Sequence, residues 1–281
     1  MEPFIAQTPF SCAEDIDFER RFGGIARLYG AYALERFRTA HVCVVGVGGV
    51  GSWAVEALAR SAIGRITMID LDNVAESNIN RQIQALSATL GKAKVSALAE
   101  RIAQINPYCQ VTEVEDFITE DNLAAMIGAD RFDYVIDAID NVRAKTALIA
   151  YCREHRLPLI TIGSAGGQTD PTRIEIRDLA RTEQEPLLAK VRKRLRSAHG
   201  FPRGEKSKFG IDAVFSTEPV RMPEGAACAT GAGGLNCAGY GSAMVVTASF
   251  GMAAAAQVLQ RLARQAAAPT PAPVAEVPAL A

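Results

Sequence analysis

The 281-residue chain predicts an α/β fold, a mostly parallel sheet with helices on both faces. Two observations carry that reading. Short β-branched runs alternate with longer helix-patterned stretches from residue 41 to residue 163. Strands spaced by helices in this way imply a mostly parallel sheet covered on both faces. The first of them ends in a cluster of glycines followed by a helical pattern, and strand, glycine turn and helix in that order make the sheet Rossmann-like.

Taken in order, residues 14–38 read as helical, and HVCVVG (41–46) reads as the first strand, with VGSWAVEALARSAI as its helix. RITMID (65–70) is a second strand. KAKVSALAERIAQIN (92–106) is a helix that stops before Pro107, and VTEVEDF (111–117) is a third strand. NLAAMIG is helical, DYVIDAI (133–139) a strand, VRAKTALIAYCREH (142–155) a helix and PLITIG (158–163) a strand. Beyond Gly163 the pattern is less regular, with strands at TRIEIRDL and AVFSTE (213–218) and a basic helix over 185–198. The expected organisation is an N-terminal extension (1–13), one domain (14–265) and an Ala/Pro-rich disordered tail (266–281), since four prolines in the last 13 positions leave no face to bury.

Hydrophobic residues at 49% and charged residues at 22% exclude a disordered, collagen-like or coiled-coil chain. Six cysteines without a CxxC pair support neither a disulfide framework nor a four-thiolate zinc site. The early acidic residues, with no apolar block behind a basic start, predict a cytoplasmic protein without a secretory leader. Tyr240–Leu259 is uncharged and approaches the ~20 residues of a membrane span, but its Ala, Gly, Ser and Thr content predicts a helix buried in a globular domain, with membrane association as the alternative.

Thirty Lys and Arg against 31 Asp and Glu leave a formal charge of −1, and that total argues against a surface that coats nucleic acid. Totals hide patches. Lys190 to Lys208 hold eight Lys or Arg and one Glu, so the rest of the chain is acidic. Such a segment either contacts phosphates without reading bases or is a solvated helix and loop.

The nucleotide signals lie at the ends of the strands. Gly46, Gly48, Gly49 and Gly51 sit between the first strand and its helix, where glycines admit a phosphate to the backbone and the helix N-terminus offers free N–H groups. Asp70 ends the second strand, where an acid holds a ribose. That much fits an NAD-dependent oxidoreductase. The polar loop that follows, Asp70 to Gln82, fits a triphosphate better. Arg81 and Lys94 can neutralise the β and γ phosphates, and Asn78 and Gln82 can orient them. Asp140, just after the strand read over 133–139, stands where a carboxylate could hold Mg²⁺ or else cap the next helix.

GxGGxGS, DxDxVxxSNxNRQ, GKxK and DAIDN in this order resemble the ubiquitin-activating-enzyme-like (ThiF/MoeB-like) superfamily of ATP-dependent adenylating enzymes. The resemblance implies that Gly46, Gly48, Gly49 and Gly51 line ATP, that Asp70 and Asp72 hold the ribose and its surroundings, that Asn78, Arg81 and Lys94 take the triphosphate, and that Asp140 takes Mg²⁺. It also implies a homodimer in which an N-terminal arginine reaches the partner's site. Arg21 and Arg27 are the candidates, Arg27 preferred, and its charge would stabilise the developing pyrophosphate.

Within that superfamily RFGGIARLYG, HVCVVGVGGVGSWAVEALARS, SNINRQIQAL, VIDAIDNVRAKTALIAYC, GSAGGQTDPT and VFSTEPV resemble the branch that dehydrates threonylcarbamoyladenosine beside the anticodon of tRNA, over about residues 14–264. That implies adenylation of the threonyl carboxylate, release of pyrophosphate and ring closure by the neighbouring carbamoyl group, with no enzyme nucleophile. The tRNA would meet Lys190–Lys208. Cys228 and Cys237, in a glycine-rich loop, are either ordinary thiols or a group that accepts sulfur or forms a transient thioester, as in relatives linked to cysteine desulfurase systems, while Cys43 and Cys152 read as core. His41, His155 and His199 carry no catalytic role. The rival readings are adenylation of the C-terminal glycine of a sulfur-carrier or ubiquitin-like protein, which the missing CxxC pairs disfavour, and a non-catalytic superfamily subunit, which the intact Arg81, Lys94 and Asp140 disfavour.

Overall fold

The computed structural model describes residues 17–128, 131–204, 206–222 and 240–266. Seven strands form one sheet in the order β3-β2-β1-β4-β5-β7-β6. They are β1 (His41–Val45), β2 (Arg65–Ile69), β3 (Gln110–Val114), β4 (Tyr134–Asp137), β5 (Leu159–Ile162), β6 (Ile174–Asp178) and β7 (Asp212–Ser216). All neighbours pair parallel except β6 with β7. From β1 the chain builds outward to β2 and β3, then returns to lay β4 and β5 on the other side. The crevice between β1 and β4 at their carboxyl ends is therefore the switch point where such sheets bind ligands.

Alternation along β1 explains why that strand is apolar at every interior position. Val42 and Val44 enter the core with Leu58, Met68 and Phe250, whereas Cys43 and Val45 enter the opposite core with Val135, Leu148 and Phe215. The helices are α1 (Phe18–Tyr29), α2 (Ala31–Thr39), α3 (Gly51–Arg60), α4 (Lys94–Ile105), α5 (Leu123–Ile127), α6 (Val142–Glu154), α7 (Pro186–Ala198) and α8 (Met244–Gln265).

Three expectations change. The helical stretch over 14–38 is two helices, because Gly30 adopts φ 94°, a left-handed value that glycine tolerates. The strand expected over 133–139 ends at Asp137, whose Oδ1 accepts the Ile139 N–H at 3.1 Å and turns the chain out of the ladder. The helix expected over Tyr240–Leu259 starts at Met244 and runs on through Arg261 and Arg264. It lies close on α3, where a Cβ on Gly251 would stand 2.4 Å from the Val50 carbonyl oxygen, and no helix among the described residues is long and apolar enough to cross a membrane. The 1–13 extension, all of the 266–281 tail but its first residue, and Cys228 and Cys237 lie outside the described residues.

Candidate active site

A cavity of about 950 Å³ opens at the switch point. Its inner wall is the glycine loop. Gly46 adopts φ 83°, and a Cβ there would meet the Ala138 carbonyl oxygen at 2.9 Å, so the loop turns tightly over the end of β4. Gly46, Gly48 and Gly49 line the cavity. The amides of Gly48 and Gly49 make no hydrogen bond among the described residues, which leaves two donors beside the N-terminus of α3 for an anion. Gly51 departs from the expectation that it lines the nucleotide. A Cβ there would stand 1.8 Å from the Gly46 carbonyl oxygen, so this glycine closes helix onto turn and does not face the cavity.

The polar loop behind β2 wraps the other wall. Asp70 Oδ2 accepts the Val47 N–H at 2.8 Å and Oδ1 accepts the Asp72 N–H at 3.0 Å, so Asp70 shapes the glycine loop as well as lining the cavity. Lys94, nearly buried, places Nζ 2.7 Å from Asp72 Oδ2 and 3.7 Å from Asp70 Oδ1. Asn78 uses Oδ1 on the Ala75 N–H and keeps its amide donors, and Gln82 accepts from Gln84 Nε2 at 3.1 Å and likewise keeps its own. The stem of Arg81 lies across the loop, its Cδ 3.1 Å from where a Gly49 Cβ would be. Trp53 Nε1 donates to the Arg81 carbonyl at 2.9 Å, and Nη1 of Arg81 donates to the Ser77 carbonyl at 2.6 Å and to Asn80 Oδ1 at 3.0 Å. Asn78, Arg81, Gln82 and Lys94 all line the cavity.

Asp140 also lines the cavity, exposed and without a partner among the described residues. It is not the cap of α6. Asn141 takes that place, its Oδ1 accepting from the Arg143 and Ala144 N–H groups at 2.9 and 3.2 Å. Behind it, Asp137 and Lys145 are fully buried, with Nζ 3.0 Å from Oδ1 and the Thr161 hydroxyl donating to Oδ2 at 2.7 Å. Burial pushes the Asp137 carboxyl above its ordinary value, against the pull of Lys145, Thr161 and the Ile139 N–H. Burial also raises Glu185, which caps α7 through the Leu188 N–H and accepts the Ser164 N–H at 2.8 Å.

The remaining expectations divide. Arg21 donates to the Ile105 carbonyl at 2.9 Å and so finishes α4, while Arg27 is exposed, has no partner among the described residues and does not line its own cavity. The segment 190–208 is not one uniform surface. Arg192 bonds Thr182 Oγ1 and Arg196 bonds the Pro202 carbonyl, Lys190, Lys193, Arg203, Lys206 and Lys208 are exposed, and Arg194 lines the cavity. Burial holds the Cys152 and Cys109 thiols at about 12 and lifts Cys43 as well, so none of the three is a ready nucleophile. Sequence reasoning missed Arg143, Leu187, Gly163–Ala165, the loop over 116–120 and Thr247, all of which line the cavity.

A glycine loop with free amides, a cationic loop over it and an unpaired carboxylate line one cavity at the carboxyl edge of a Rossmann-like sheet, an arrangement suited to a nucleotide. Residues 22–276 match the ThiF family, and the chain belongs to that family. It is 53% identical over 258 residues to the tRNA threonylcarbamoyladenosine dehydratase of Escherichia coli (strain K12), a match spanning 89% of this chain and 96% of that protein. The dehydratase of the same name from Haemophilus influenzae is 52% identical over 253 residues, 89% of this chain and 95% of that protein. The crystal structure of the E. coli dehydratase in complex with ATP superposes with a TM-score of 0.80 at 52% identity, covering 88% of this chain and 96% of that one.

Proposed function

We propose that this chain is an ATP-dependent dehydratase that closes threonylcarbamoyladenosine in tRNA to its cyclic form. The observation that carries the reading is one cavity lined by the glycine loop, with its free Gly48 and Gly49 amides, together with Arg81, Lys94 and Asp140, in a chain more than half identical to dehydratases over nearly their whole length. In that cavity Arg81 and Lys94 face the β and γ phosphates, Asn78 and Gln82 donate to them, and Asp72 is the exposed acid for the ribose. Lys94 exchanges one carboxylate partner for phosphate as ATP binds.

The threonyl carboxylate attacks the α-phosphorus of ATP and pyrophosphate leaves. The carbamoyl group then attacks the acyl carbon, and AMP departs with one of the two carboxylate oxygens, so the net change is loss of water. Attack within one molecule gains its rate from proximity, which makes orientation the main task of the protein. Asp140, unpaired beside the phosphate loop, suits a magnesium ion held by one carboxylate and the nucleotide's phosphates, where it would offset charge on the leaving pyrophosphate. Arg27, free at the end of α1, suits delivery into the partner's site of a homodimer, and the exposed lysines of 190–208 suit the tRNA backbone, in the cytoplasm where tRNA is modified.

The test is to incubate the protein with ATP and tRNA bearing threonylcarbamoyladenosine, digest to nucleosides and weigh the product. A nucleoside lighter by one water, with pyrophosphate released, supports the reading. Pyrophosphate release only with a sulfur-carrier protein refutes it.

A further inference from the structure

We propose that Arg194 and Arg143 clamp a phosphodiester of the RNA backbone at the outer end of the cavity, beside the modified nucleoside. The inference rests on the tRNA reading above and adds where the backbone is held. Leu187 and Arg194 stand seven residues apart on α7, hence on one face and ~10 Å apart along the axis, and both line the cavity. The helix starts against the end of β5, where a Cβ on Gly163 would stand 3.3 Å from Leu188 Cδ1. Leu187 is buried there, and α7 carries the partly exposed Arg194 outward from it.

What marks Arg194 is that its charge is unused. Its Nε is shielded from solvent and has no hydrogen-bond partner, and its guanidinium makes no ion pair among the described residues. Its helix neighbours Arg192 and Arg196 are both bonded. A shielded donor without an acceptor is unfavourable and is relieved when an anion arrives. Arg143, in the first turn of α6, lines the same cavity and is exposed and unpaired. Asp116, Glu120 and Asp140 also line it, and none pairs with either arginine.

Chemistry selects the anion. The threonyl carboxylate must reach the α-phosphate over the glycine loop, so the sugar–phosphate backbone of the same nucleotide lies on the far side of the base, toward the mouth. There a guanidinium fork matches two phosphate oxygens.

The test uses modified tRNA assembled by ligation with one uncharged methylphosphonate link on either side of threonylcarbamoyladenosine. With the wild-type protein, at least one of the two links should lower kcat/KM about tenfold or more. Arg194→Gln should lower kcat/KM similarly on native RNA and then be indifferent to that link, while its unfolding temperature and its affinity for a fluorescent ATP analogue stay as in the wild type. Arg194→Lys, which keeps charge but loses the fork, should fall between, and Arg143→Gln should repeat the pattern. Indifference of the wild type to both links, losses that add in the variants, or weakened ATP binding would each overturn the clamp. A wild type inactive on native modified RNA overturns the substrate reading and the clamp together.

Discussion

Lys145→Met should destabilise the protein by an amount that depends on pH in a defined direction. The Nζ–Oδ1 separation of 3.0 Å corresponds to roughly 5–6 kcal/mol of attraction at an effective dielectric constant near 20. Both side chains are fully buried, so removal of the lysine leaves Asp137 with only the Thr161 hydroxyl and the Ile139 N–H. A stranded carboxylate escapes by taking up a proton. From an ordinary value of 3.8, that uptake costs about 4 kcal/mol at pH 7, which caps the penalty. The expected loss is therefore about 3–4 kcal/mol at pH 7, or roughly 6–16 °C in unfolding temperature. A carboxyl whose folded value is raised gives stability that is present below its unfolded value and lost as pH rises through the folded value. The loss should accordingly shrink by about 2 kcal/mol between pH 7 and pH 5.5. Asp137→Asn with Lys145→Met should recover most of it by removing the stranded charge. Urea unfolding of the three proteins at both pH values decides the matter. A Lys145→Met protein within about 1 kcal/mol of the wild type, or a loss indifferent to pH, would refute the reasoning.

Four further outcomes are expected. Asp140→Asn should lower ATP-dependent pyrophosphate release by about a hundredfold or more with an unchanged unfolding temperature, since the side chain is exposed and Asn141 still caps α6; full activity would remove Asp140 from the site. Glu56, bridged to Arg101 at 2.6 Å and Arg60 at 2.7 Å, is pushed up by burial but held below its ordinary 4.5 by the two arginines together. Its stability is fully present above that ordinary value and is lost as pH falls through the lower folded value, so Glu56→Gln should flatten the acid limb of a stability–pH curve. Gly251→Ala should destabilise by about 1–3 kcal/mol in thermal unfolding, because its Cβ meets backbone atoms at 2.4 and 2.9 Å that cannot give way cheaply. Finally, in the homodimer proposed above, mixing Arg27→Ala with Asp140→Asn subunits, each expected to be inactive alone, should restore about a quarter of the wild-type rate, since half the dimers would be mixed and each would have one intact site; no recovery would end the trans role of Arg27.

Much of the architecture was legible because β1, β2, β4 and β5 are short, mostly apolar runs separated by helical patterns, as strands covered on both faces are. Their ends were less so. The turn after Asp137 depends on a side chain folding back onto its own backbone, and the break at Gly30 depends on a φ value that an interior glycine does not announce. At the site, Gly46, Gly48, Gly49, Asn78, Arg81, Gln82, Lys94 and Asp140 meet around one cavity as their motifs imply. Gly51 was misread because the same residue type serves both phosphate approach and helix packing, and only the 1.8 Å clash separates the two. Arg194 was hidden by its own surroundings. In a run of eight cations nothing in the sequence shows which one turns inward, because that depends on the phase of α7 fixed by Leu187, Leu188, Val191 and Leu195 against the sheet.

The most direct test of the central claim, that this cavity joins AMP to the threonyl carboxylate, is to label that carboxylate with heavy oxygen in the tRNA and weigh the nucleotide released after one round of reaction with ATP. AMP carrying one heavy oxygen is the expected product. Unlabelled AMP, or label appearing in phosphate alongside ADP, would contradict the adenylate and with it the assignment of Arg81, Lys94 and Asp140.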